Sequence, residues 1–245
     1  MGTLPVIKIE MAGAVTSFRY PHFTQGFQPS FEMPPPSTIY GHICSAVGDY
    51  VAPESLRFGY HFVHAGKFVD YKEHLHFSDP IQPFPFDREL LFEPRLTLYV
   101  TRLDLFDAFR HPHYAVALGR SQDLMTYRSI KIIELEAANE GYFEATLLPL
   151  HMAASLDKGT IAVTMARYID PRRRPQWSTY TLLQDAALWP PPAPERNAWD
   201  REDDQDAGLI FEENAVQLWV DPETPDHRFK QGVKRAVWLH GFVEE

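Results

Sequence analysis

The chain has 245 residues, 44% hydrophobic and 13% aromatic, which is enough for a substantial core and too apolar for wholesale disorder. Its one cysteine, Cys44, excludes an intrachain disulfide and a cysteine-based zinc knuckle, and the opening MGTLPVIKIEMAG has no basic region leading into a long apolar run. Neither a signal peptide nor a transmembrane helix is expected, and a reducing, cytoplasmic setting fits. The net charge is −10, with −7 of it in residues 195–245, so there is no global positive field and any nucleic-acid role has to use a local surface.

VIKIEMA (6–12) alternates, with Ile7, Ile9 and Met11 on one side, and predicts a half-buried strand. Phe18–Pro29 is irregular, and a helix follows over Ser37–Tyr50. Residues 57–77, aromatic and alternating on both sides of Ala65-Gly66, read as a β-hairpin or two linked strands, and the proline-rich 78–94 as an irregular excursion. Leu96–Thr101 predicts a strand, Leu103–Phe109 a short helix, and YAVALGRSQDL (114–124) a strand entering a glycine loop. Ser129–Leu135 and Ile161–Ala166 read as strands, and the proline-rich then acidic 189–206 as a loop. The last forty residues return to apolar alternation, either as a small β appendage or as strands that rejoin the main body. Two β-α-β runs imply an α+β class: a ferredoxin-like (RRM-type) antiparallel sheet with helices on one face rather than a doubly wound sheet. The division expected is a main domain over 1–150 and a β-rich C-terminal segment over 151–245.

The helix start is sharply set, because Pro36 does not suit a helix interior and Ser37 is a favoured N-cap. Gly41, Cys44, Ser45 and Gly48 make one side thin, as if another backbone, protein or nucleic acid, lay close. The free amides of the helix start, flanked by the Ser37 and Thr38 hydroxyls, form a candidate phosphate site.

His74-x-His76 puts two rings on one strand face, but no third ligand completes a metal site, and none is expected. No GxSxG, HExxH, GxxxxGK[ST] or GxGxxG motif is present. A metal-free ribonuclease needs only a base, an acid and a cation, roles open to Tyr40, His42, His113, Arg120 and Lys131. In ALGRSQDLMTYRSIKI (117–132), Gly119 permits a tight turn, Arg120 and Ser121 stand at its tip, and Arg128 and Lys131 follow with only Asp123 in opposition. FRYPHF (18–23) joins Arg19 to stackable Phe18, Tyr20, His22 and Phe23. Cations interleaved with aromatics suit single-stranded RNA, whose phosphates need charge and whose bases need π surfaces. The Arg172-Arg173-Arg174 run reads as solvated loop.

Together AGAVTSFRYP, PPPSTIYGHICSAVG and YAVALGRSQDL resemble the Cas-five family, the fifth CRISPR-associated protein of type I Cascade complexes, over roughly residues 6–135 and with type I-B members most similar. The resemblance implies an RRM-like domain of the RAMP superfamily that caps the five-prime, repeat-derived handle of CRISPR RNA without cleaving it. It implies a thumb-like excursion, here residues 61–94. The partners implied are the backbone subunit Cas-seven, the large subunit Cas-eight, Cas-six within the complex and, indirectly, target DNA; no cofactor and no membrane are implied. Carried over by motif, Ser37, Thr38, Tyr40, Gly119, Arg120 and Ser121 are handle contacts, with Arg19 beside them. The type I-C branch cleaves precursor RNA through a tyrosine, a lysine and a histidine; where it carries an adjacent Lys-His pair, this chain reads GRSQDLMTYR, so the endoribonuclease stands as the alternative.

Overall fold

A computed structural model of the chain describes residues 2–23, 26–76, 82–156, 158–191 and 218–242. Its first strand, β1 (Thr3–Gly13), is followed by the short β2 (Val15–Thr16) and β3 (Phe27–Gln28). Val6, Ile7, Lys8, Ile9 and Met11 are all buried, so β1 is covered on both faces rather than half-buried as its alternation predicts. The polar position that made one side look solvated, Lys8, is an interior ion-pair partner.

Helix α1 (Pro36–Val47) starts one residue before the expected point, and Ser37 is not its cap. Pro35 occupies the cap position and Pro36 the first turn, where a fixed φ is preorganised and a missing N–H removes nothing the helix would use. The helix stops short of Tyr50 because Gly48 turns left-handed at φ 86° and returns its N–H to the Cys44 carbonyl. Ile39, Tyr40, Ile43 and Ala46 share a core with Ile7, Ile9 and Met11.

Residues 57–77 do not form a hairpin; they are two strands that go to different sheets. β4 (Phe58–Val63) pairs with β7 (Arg95–Val100), while β5 (Gly66–His76) pairs with β6 (Gln82–Phe92) in register from Gly66↔Phe92 to His76↔Gln82. The prolines that mark 78–94 as irregular are compatible with β6: Pro83 and Pro85 sit two apart, so both missing donors fall on one edge, and there β5 is β6's sole strand neighbour among the described residues. A 3₁₀ turn at Leu103–Leu105 leads into α2 (Phe106–Arg110), and β8 (Met125–Ala138) completes the first half of the chain. In space these strands run β8-β1-β7-β4, with every neighbouring pair antiparallel. Residues 114–124 contain no strand, only a loop closed by one bridge, Ala117↔Leu124.

The second half adds β9 (Gly141–Phe143), β10 (Thr146–Pro149), β11 (Ile161–Ile169), β12 (Pro175–Leu183), β13 (Ala187–Trp189), β14 (Leu218–Asp221) and β15 (Arg235–Ala236). The main sheet reads β13-β9-β15-β14-β8-β1-β7-β4, and β10-β12-β11 form a separate three-stranded sheet. Val163, Met165, Tyr180 and Leu182 of the smaller sheet join the core of β1 and α1. The last strands therefore rejoin the main body, and a free-standing C-terminal appendage is corrected on that point. From β15 the chain runs back to β4: Val237 donates to the Trp219 carbonyl, and Phe58 and His240 exchange backbone hydrogen bonds. Gly59 permits this passage, since a Cβ there would lie 2.6 Å from the Trp238 carbonyl oxygen. Beyond Pro191, the acidic 189–206 stretch lies outside the described residues. The whole is a sheet-rich α+β fold with few helices.

Candidate RNA interface

The three sequence motifs meet at the Gly119 loop. Gly119 adopts φ 97° and packs so tightly that a Cβ would sit 2.5 Å from Thr16 Oγ1 and 2.8 Å from the Ser17 carbonyl oxygen. Asp123, fully buried, accepts from the backbone N–H groups of Ser17 (3.2 Å) and Arg120 (3.0 Å), and from Arg120 Nε (2.9 Å) and Nη2 (2.6 Å). Thr16 Oγ1 adds a hydrogen bond to the Leu118 carbonyl. The loop's other flank is held by His42, whose Nδ1 lies 3.0 Å from the Ala117 carbonyl oxygen and whose Nε2 lies 2.9 Å from the Tyr127 hydroxyl. A carbonyl only accepts, so Nδ1 carries the proton and Tyr127 donates to Nε2. Burial pushes the His42 imidazole pKa down, which keeps it neutral in this arrangement.

The clamp sets the geometry of the FRYP segment. Phe18 is core, its N–H donating to Ser30 Oγ and its carbonyl accepting from Phe31, while Tyr20 stacks on Phe31 with ring centroids 3.7 Å apart. Arg19, between them, points out and has no hydrogen-bond or ion-pair partner among the described residues. The base of the β5–β6 hairpin is tied to the same segment: Ser17 Oγ donates to the Glu89 carbonyl, the Ser30 N–H to the Glu89 carboxylate, and Lys67 bridges Glu32 and Glu89. The His64 hydrogen bond, then Lys67, hold the Glu32 carboxyl below its ordinary range against the effect of burial.

The other candidates fare unequally. Ser37 and Thr38 are half-buried in the first turn of α1. Pro36 has no N–H, and Thr38 and Ile39 already donate to the Pro35 carbonyl, so of the expected free amides Ser37 alone remains. Tyr40 is a core residue, not a surface contact: it is 3% exposed, donates to the Val51 carbonyl at 2.6 Å and packs on Tyr168 and Phe242. Arg120 does not offer a free guanidinium at a turn tip but folds back on Asp123, which leaves Ser121 exposed there. Arg128 lies apart from this cluster, on an open groove of about 880 Å³ shared with Glu10, Glu93 and Arg95. Lys131 is opposed by more than Asp123, since it pairs with Glu223 at 2.7 Å.

The thin side of α1 is met by the chain itself only toward its Gly48 end. His113 donates to the Ala46 carbonyl, and a Cβ on Gly48 would lie 2.5 Å from the His113 ring; Gly41 faces open space. The residue that sequence reasoning undervalued is Asp123, whose one legible signal was a lone carboxylate between cations and an apolar strand. Among the described residues no group of three His, Cys, Asp or Glu is placed to hold a metal, and no helix is long and apolar enough to cross a membrane. The side chains of His74 and His76 lie outside those described.

The sequence matches no family model and no curated protein. Solved structures that it resembles include chains of CRISPR complexes and single CRISPR proteins. One, from the Type III-B Cmr-beta complex bound to cognate target RNA, aligns with TM-score 0.50 and 10% identity over 74% of this chain and 86% of that one. A chain of a CRISPR RNA-guided surveillance complex aligns with TM-score 0.48 and 15% identity (75% and 90% covered), and a CRISPR protein from Archaeoglobus fulgidus with 0.45 and 11% (76% and 91%). The Cmr-beta likeness is one of fold, the sheet-rich α+β architecture described above.

Proposed function

We propose that the chain is a non-catalytic RNA-binding subunit of a type I CRISPR effector, seated on the five-prime handle of the guide RNA as the Cas-five resemblance implies. In this reading β1-α1-β4-β7-α2-β8 is a ferredoxin-like unit, the β5–β6 hairpin is the thumb, and Cas-seven, Cas-eight and Cas-six are the neighbours through which target DNA is reached. The observation that carries it is the Asp123 clamp: two separate motifs are locked together, and Arg19, with no hydrogen-bond or ion-pair partner among the described residues, projects beside Ser30 and the base of the hairpin. A long-range clamp that spends a buried carboxylate to position one exposed arginine is suited to gripping phosphate.

Arg19→Ala is expected to weaken binding of repeat-derived RNA irrespective of base sequence and to lower the slope of log K against log salt by about 0.7, one phosphate contact on a single strand. An unchanged slope and affinity would remove Arg19 from the interface. The proposed role contains no chemical step, so repeat RNA incubated with the chain in EDTA is expected to stay intact on a denaturing gel. A single cut at the handle boundary would put the endoribonuclease in its place.

A further inference from the structure

His22 and Trp177 come from distant parts of the chain and meet at the surface, with ring centroids 5.9 Å apart and planes 34° from parallel. Trp177, on β12 opposite Ala166, is 44% exposed, and Phe23, next to His22, is 47% exposed. Both rings are thus open in a chain that buries Phe18, Phe31, Tyr40 and Tyr60 almost completely. The His22 side is fixed by the Tyr20–Phe31 stack and the pairing of Phe18 to Phe31; the Trp177 side is fixed by the β11–β12 ladder. The two rings are thus held by separate rigid supports.

Exposed arginines stand on the same two segments: Arg19 three residues from His22, and Arg172 and Arg173 five and four residues from Trp177. In the turn between β11 and β12, Arg174 is tied back to Asp170 at 2.7 Å, while Arg172 and Arg173 are exposed and carry no ion-pair partner among the described residues. Arg19, on the His22 side, is likewise free. Open aromatic rings on segments that also carry exposed arginines, in a chain of net charge −10, match the chemistry of an unpaired nucleotide: a base with two π faces and a phosphate on each side. An apolar pocket on a protein would match the rings but not three exposed arginines without an ion-pair partner among the described residues.

We propose that His22 and Trp177 form a stacking platform for one unpaired base of the bound RNA, with Arg19, Arg172 and Arg173 taking the flanking phosphates. This rests on the RNA-binding reading above and adds to it a subsite on β12, outside the three motifs.

The test uses the full chain at low ionic strength and a fluorescently labelled single-stranded RNA of the repeat-derived handle sequence, read by anisotropy. The same RNA is also made with an abasic position moved along it. Trp177→Ala is expected to raise Kd about 5- to 150-fold, the range of one lost base–aromatic stack of about 1–3 kcal/mol. Trp177→Phe should retain most of the affinity. His22→Ala, on an exposed turn with no core to disturb, should weaken binding in the same direction. An abasic site at one position should weaken the wild type and have no further effect on Trp177→Ala. If Trp177→Ala and His22→Ala both bind like wild type while Arg19→Ala loses RNA, the platform is wrong and the RNA-binding reading stands. If the wild type itself does not bind, both fall. If Trp177→Ala keeps RNA but loses a subunit from the assembled complex, the surface is a protein contact and the proposal is overturned.

Discussion

Asp123→Ala is expected to lower stability by about 3–5 kcal/mol and to release Arg19 from its position. The carboxylate is fully buried and takes two backbone N–H groups and the Arg120 guanidinium, whose side chain is 20% exposed. Alanine leaves all of these donors without an acceptor, and the arginine without a counter-charge, where water has little access. Asn should cost less, about 2 kcal/mol, because it keeps one carbonyl acceptor but no charge. Arg120→Ala should cost a similar amount to Asp123→Ala from the other side, by stranding a buried carboxylate. The prediction separates two roles that a motif confuses. If Arg120 chiefly contacts RNA, its loss lowers RNA affinity with little change in urea midpoint; if it chiefly supports the loop, the midpoint falls first and Asp123→Ala behaves alike. Denaturation midpoints measured beside RNA affinity for both variants decide it, and unchanged midpoints would remove the clamp from the account of the fold.

The same residues show what could be read from the chain and what could not. Gly119 was legible because a glycine between a leucine and a polar tip has one common use, a left-handed turn, and its φ of 97° is that use. Arg120 was misread because local sequence shows a cation at a tip but not the buried partner three residues on, which becomes a partner only when Thr16 and Ser17 close over the loop. Tyr40 illustrates the opposite error. In PPPSTIYG it stands near a helix start, yet helical geometry turns it inward onto Tyr168 and Phe242, residues from the far end of the chain. Lys131 looked opposed by Asp123 alone because Glu223 is ninety-two positions away. Trp177 was passed over for the same reason: nothing beside it in sequence resembles His22.

Strand identity was more legible than strand pairing. The alternation in Phe58–Val63 and Leu96–Thr101 marks both as strands, but that they pair with each other, across a whole intervening hairpin, is decided by the core they share rather than by local pattern. Tight turns announce hairpins, and Ala65-Gly66 looks like one, yet the chain uses it to leave the main sheet. Likewise the burial of both faces of β1 depends on the segment from Arg235 to Phe242, whose return across the sheet has no signal at β1 except an unusual lysine among branched apolar residues.

That lysine supports the second large expectation, that Lys8→Met lowers stability by about 3–5 kcal/mol despite replacing a charge by an apolar side chain of similar length. Lys8 Nζ lies 2.6 Å from Asp221 Oδ2 and 3.0 Å from Glu223, and its side chain is 5% exposed against 0% for Asp221. Tyr99 also donates to Asp221 Oδ2 at 2.7 Å, and the Glu223 N–H donates to Oδ1. Removing the lysine leaves an interior carboxylate with hydrogen bonds but no counter-charge, at the point where β14 enters the segment that covers Val6, Tyr99, Ile133 and Leu135. Burial pushes the Asp221 carboxyl up, but the Lys8 and Tyr99 hydrogen bonds outweigh it and hold the carboxyl below its ordinary range. A group depressed in the folded state contributes stability that is complete above its unfolded pKa, near 3.8, and is lost as pH falls through the lower folded value. Wild type should therefore lose this contribution in acid while Lys8→Met, having lost it already, does not, so the gap between them narrows below about pH 4. Lys8→Met with Asp221→Asn removes the stranded charge but keeps acceptors for Tyr99 and Glu223, and should recover more than half of the loss. Urea titrations of the three proteins across that pH range test the argument: a double variant as weak as the single, or a gap independent of pH, would mean that the segment is held by packing at Gly59 and Val237 and not by this ion pair.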